Sequence, residues 1–136
     1  MEKTITKLFN ELLKDLSAKR TFANEIAIRM FGSAIGQLDA SFLDKQKLEN
    51  ALAETFFANV ILANSYGVSR LGVLSTSEKI LDSVGLLHSI RHFIPMCKIT
   101  RNDIECVLVV ICFIAKENNI SIHSVINTAT KKIAEL

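Results

Sequence analysis

Apolar residues recur along this chain at intervals of three and four, and almost nowhere at intervals of two. Residues 4–18 place Ile5, Leu8, Phe9, Leu12, Leu13 and Leu16 on one stripe, with Lys7, Glu11, Lys14 and Asp15 opposite. That period belongs to an α-helix with one buried face. Phe22, Ile26, Met30, Ala34 and Leu38 then recur every four residues, and Ala23, Ala27, Phe31 and Ile35 widen the stripe. Leu48, Leu52, Phe56, Val60 and Ala63 mark a third helix, extended by Phe57 and Ile61. Ile80, Leu81, Val84, Leu87 and Ile90 mark another, and Ile122, Val125, Ile126, Ala129 and Ile133 the last. No stretch alternates long enough to make a strand. The expectation is an all-α fold, a single compact bundle of six or seven helices spanning 1–136 as one domain.

Start and stop signals divide these stripes. Thr21 is placed to cap the second helix. Ser41 and Asp44 form an S-x-x-D start for a helix from about Leu43 to Ser65, and Gly67 ends it in the usual C′ position. Ser69 is placed to cap a short helical turn through Leu74, and Ser75 with Glu78 makes a capping box. Pro95 stops that helix. Thr100 and Asp103 repeat the start signal, Asn119 is the expected left-handed residue, and Ser121 caps the final helix. Gly32 and Gly36 lie four apart, where a neighbouring helix can approach closely. The segment Ile104–Lys116 is apolar nearly all round, which predicts a position at the centre of the bundle.

Composition narrows the class. With 136 residues and 49% of them hydrophobic, the chain has the length of one domain and too much apolar content for disorder. One Pro and five Gly exclude a turn-rich sandwich. The longest unbroken apolar run, Val107–Ala115, falls short of the about 18 residues that span a bilayer, so no membrane partner is expected. The first residues mix charged and apolar groups, unlike a signal peptide. Cys97, Cys106 and Cys112 are odd in number and lack a C-x-x-C pair; Cys106 and Cys112, inside a very apolar run, read as small buried hydrophobes in a reducing cytoplasm. The expected localisation is cytoplasmic.

The net charge of +2 does not by itself indicate a nucleic-acid partner. One window, Ser83 to Asn102, has no acidic residue but carries His88, Arg91, His92, Lys98 and Arg101. These five are the candidate anion-binding residues, beside the plainer reading of a cationic helix end. His88 and His92 share a helix face, but no carboxylate stands near them in sequence to complete a metal site. No catalytic constellation, metal site or cofactor site is expected.

Two segments echo each other 52 residues apart. Ala63, Gly67, Val68, Ser69, Val73 and Leu74 align with Ala115, Asn119, Ile120, Ser121, Val125 and Ile126. Hairpins near 52–80 and 104–132 are therefore either a duplication or the same stop-and-start chemistry used twice. The second copy, residues 111–133, resembles the helix-turn-helix of DNA-binding domains. Ala115 matches the small residue before the turn, Asn119 the turn itself, Ile120 the apolar residue after it, and Val125 the buried residue of the second helix. Asn118 departs from the pattern, where the family prefers an apolar residue. The resemblance implies Ser121, His123, Ser124 and Asn127 near base edges, and Lys131 and Lys132 on phosphates.

Glu54, Ala63 and Gly67-Val68 also resemble the metal-bearing hairpin of the MazG-like all-α nucleotide pyrophosphohydrolases. That family holds Mg²⁺ with paired carboxylates, E-x-x-E and E-x-x-D. Here Glu54 faces Ala51 in place of its partner, Asp103 faces Cys106, and Glu25 is followed by Ile28. No intact pair stands. The functional expectation is a non-enzymatic, regulatory helical protein that acts through protein–protein contacts, with nucleic acid as a further candidate partner of the C-terminal pair. Surplus apolar surface at 22–38 and 104–115 predicts a homodimer. The alternative is a MazG-like pyrophosphohydrolase or its inactive descendant.

Overall fold

The structure, a computed structural model, describes residues 2–72 and 99–136, with side chains from residue 4 onward. Among these residues the chain is entirely helical, without strands: α1 (Glu2–Lys19), α2 (Asn24–Asp39), α3 (Lys45–Ser65), α4 (Arg101–Glu117) and α5 (Ile122–Ala134). The described residues hold five helices, against the six or seven expected for the whole chain. The expected turn of helix after Ser69 is absent through Gly72, where the backbone is irregular. The predicted helix beginning at the Ser75 capping box lies outside the described residues.

α3 is the centre of the bundle, which corrects the expectation for Ile104–Lys116. From Leu48 to Asn64 only Glu49, Asn50 and Glu54 escape full burial. α1, α2, α4 and α5 all pack on it. α4 and α5 touch, as do α5 and α1, so these three line one side of α3. α2 returns along α3 on its own and meets no other described helix. The physical reason is side-chain size. Ala51, Ala53, Ala58 and Ala63 are all buried and let helices approach α3 on every side. α4 is more apolar but has bulkier residues, and it buries only Ile104, Val107, Leu108, Val110, Ile111, Ile114 and Ala115. Val109, Cys112 and Phe113 stay half-buried and Cys106 is exposed, which corrects the reading of Cys106 as a buried hydrophobe.

The stripes predicted for α1 and α5 are buried as expected. Ile5, Phe9, Leu12, Leu13 and Leu16 join one core cluster with Ile122, Val125, Ile126, Ala129 and Ile133. Phe9 meets Phe56 edge-to-face, with ring centroids 5.7 Å apart, a favoured aromatic geometry. Asn59, wholly buried in α3, donates to the Ile104 carbonyl at 3.1 Å and so ties α3 to the first turn of α4.

Caps divide into local and tertiary. Asp44 accepts from the Gln46 and Lys47 amides and starts α3. Thr100 and Asp103 form a full capping box on α4. Ser41 makes no such cap. Its hydroxyl donates back to the Gln37 carbonyl at the end of α2. Thr21 does not cap α2 either, because the N-cap residue is Ala23, with no side-chain bond. The entry to α2 is held from a distance. Asn64 Oδ1 accepts the Phe22 amide at 2.8 Å, and its Nδ2 donates to Ser17 Oγ at 3.1 Å and the Arg20 carbonyl at 3.0 Å. The Arg20 guanidinium covers the Phe22 ring at 4.1 Å, a cation–π contact. Gly36 is exposed and, among the described residues, no neighbouring atom comes within 4 Å of the site a Cβ would fill, so no described helix uses it for close approach.

Candidate functional site

The turn between α4 and α5 is a Schellman motif. Asn119 takes a left-handed φ of 55°. The Ile120 amide donates to the Ala115 carbonyl at 2.8 Å, and the Asn119 amide to Lys116 at 3.3 Å. Ile120 is buried under the turn. Asn118, the departure from the helix-turn-helix pattern, donates its side-chain amide to the Ile114 carbonyl at 2.8 Å. That carbonyl also accepts the Asn118 backbone amide at 3.2 Å, so the side chain adds a second bond at the end of α4. α3 stops in the same way: Gly67 has φ 73°, and the Val68 amide donates to Ala63 at 2.9 Å. The echo 52 residues apart is thus carried by two equivalent stops. After Ile120 the chain restarts at once, with Ser121 accepting from the Ser124 amide. After Val68 no helix restarts through Gly72.

α5 lies on α3 with a polar side outward. Ser121, His123, Asn127 and Lys131 are exposed, and Ser124 is half-buried at the flank. The four-residue spacing of His123, Asn127 and Lys131 sets them in one row. Thr128 and Thr130 donate to the carbonyls of Ser124 and Ile126, at 3.1 and 2.8 Å, which keeps their hydroxyls on the helix. Lys132 stands apart from the row. It is half-buried and forms an ion pair with Glu54 of α3. Lys19 of α1 donates to the carbonyls of Ile133 and Ala134 at 3.2 and 3.3 Å, capping the end of α5. A cation there also complements the helix dipole.

Of the candidate anion-binding residues, His88, Arg91, His92 and Lys98 lie outside the described residues, as does Cys97. Arg101 is exposed and sits 4.0 Å from Glu105, one turn along α4. The carboxylates behind the pyrophosphohydrolase resemblance are engaged elsewhere. Glu54 holds Lys132. Asp103 Oδ2 accepts from the Thr100 amide and hydroxyl, both at 2.9 Å. Ala51, three residues before Glu54, is buried, and Glu25 is exposed. Among the described residues no three metal-ligating side chains come together. The Cys106 thiol is pushed above its ordinary value by partial burial, then by the Asp103 and Glu105 charges. It therefore stays protonated at neutral pH.

The structure also joins residues that sequence reading left apart. Asn10 of α1 brackets Leu71, accepting its amide at 2.7 Å and donating to its carbonyl at 3.0 Å. Glu105 accepts the Gly72 amide at 3.1 Å. Segment 69–72 is thereby strapped across α1 and α4, and a groove opens between it and the polar face of α1. Sixty-one positions separate Asn10 from Leu71, so no local pattern announces the contact. The one available signal was an Asn at the border of an apolar stripe. No known protein family, characterised protein or solved structure matches this chain. No described helix is long and apolar enough to cross a membrane.

Proposed function

We propose that this chain is a non-enzymatic binding protein whose contact surface is the outward row of α5, and that its partner is a nucleic-acid duplex. The observation that carries this reading is the exposed row His123, Asn127 and Lys131, placed just after a left-handed turn on a helix anchored beneath by five buried aliphatic residues. A rigidly seated helix of 13 residues is about 20 Å long, enough to lie in a major groove. An Asn amide suits an adenine edge, and a Lys suits phosphate. Lys132 belongs to the fold in this reading, since Glu54 already holds it.

The test is fluorescence anisotropy on labelled duplex DNA at several salt concentrations. Lys131→Ala is expected to weaken binding and to lower the salt slope by about one. Asn127→Ala is expected to cost about 1–3 kcal/mol on the preferred sequence. An unchanged salt slope in Lys131→Ala defeats the reading. A protein partner, including a second copy, is favoured by a different feature. Leu43 is fully exposed beside Phe42, at 38% exposure, on the α2–α3 turn. An adjacent pair of this kind suits a protein contact better than solvent. The pyrophosphohydrolase alternative requires pyrophosphate release from a nucleotide with Mg²⁺, and the commitments of Glu54 and Asp103 weigh against it.

A further inference from the structure

The groove beside α1 has the features of a built site. Its volume is about 740 Å³, within the range of about 300–1,000 Å³ that holds small ligands. Lys7, Lys14 and Arg70 line it against a single carboxylate, Glu11. All three cations are exposed, and none is in an ion pair among the described residues. The far wall is fixed without any ligand, by the Asn10 bracket on Leu71 and the Glu105 bond to Gly72.

We propose that this groove binds a small phosphate-bearing molecule, with Arg70, Lys14 and Lys7 on the phosphate. Arginine's planar fork matches two phosphate oxygens, and lysine adds point charge. Three cations against one carboxylate favour a dianion over a neutral ligand. The site is separate from the α5 row and does not rest on it.

Inorganic pyrophosphate and inorganic phosphate serve as probes, at constant ionic strength held with chloride. The expected result is saturable binding at one site per chain by calorimetry, with amide NMR shifts along the polar face of α1 and at residues 69–72. Arg70→Ala and Lys14→Ala each weaken pyrophosphate binding by about tenfold. The proposal is overturned by shifts that follow ionic strength alone, by the absence of saturation, or by equal binding in wild type and Arg70→Ala.

Discussion

Asn64 joins three chain segments through one amide. It ends the buried stretch of α3, accepts the Phe22 amide and donates to both Ser17 and the Arg20 carbonyl. Truncation leaves these groups unpaired in a site that is 6% exposed at the side chain's own position. Asn64→Ala is expected to cost about 2–4 kcal/mol, read as a lower midpoint in urea with little change in slope. A cost below about 0.5 kcal/mol would show that water replaces the amide without penalty. Cys106 gives a prediction in pH. Its folded thiol ionises above its ordinary value, so thiolate formation favours the unfolded chain. The contribution to stability is present at neutral pH and is lost as pH rises through the ordinary thiol range. Alkylation of Cys106 by iodoacetamide, followed by peptide mass, is accordingly expected to be slower in the folded protein than in urea at pH 8. Equal rates would remove the assigned shift.

At the scale of elements, the stops of α3 and α4 differ by one residue type. Gly67 and Asn119 both adopt the left-handed conformation, which glycine takes without steric cost. Asn119→Gly is expected to stabilise the protein by up to about 1 kcal/mol, and Gly67→Ala to destabilise it by about 1–2 kcal/mol. Thermal melts of the two variants moving in the same direction would contradict the equivalence of the turns. The start of α4 depends on Thr100, whose hydroxyl takes the Asp103 amide while Asp103 takes the Thr100 amide. Thr100→Ala is expected to cost about 1 kcal/mol, concentrated as faster hydrogen exchange in the first turn of α4. These signals were legible because each lies within a few residues of the element it ends. The cap expected at Thr21 failed for the complementary reason. An acceptor from α3, the Asn64 side-chain oxygen 42 positions away, takes the Phe22 amide there first.

For the whole molecule, the surface carries the open question of self-association. α4 leaves Val109, Cys112 and Phe113 half-buried, and Leu43 is fully exposed beside Phe42. A homodimer through the α2–α3 turn predicts twice the monomer mass in light scattering, and a return to monomer in Leu43→Asp. A single monomer mass for wild type at high concentration would rule that dimer out. The apolar pattern was enough to establish helices, since period alone decides which residues share a face. It was not enough to rank the helices, because hydropathy counts how apolar a face is and not how closely a neighbour can come. The alanines of α3 settled that ranking through size. The groove of α1 was equally invisible, since Lys7, Glu11 and Lys14 look like any solvated face until Arg70 and Leu71 are brought across them.

The sequence by itself determined the all-helical class, the buried stripes of α1 and α5, the left-handed turns at Gly67 and Asn119, and the caps at Thr100 and Ser121. Each is set by interactions within about one or two helical turns, where residue type and spacing carry the energy. Only the tertiary structure decided which helix lies at the centre, that Lys132 belongs to Glu54, that Asn64 and Asn10 pin distant segments, and that Arg70 joins Lys7 and Lys14 at one groove. Those outcomes depend on which surfaces meet, and a hydrogen bond or ion pair between distant residues leaves no periodic trace in the chain that makes it.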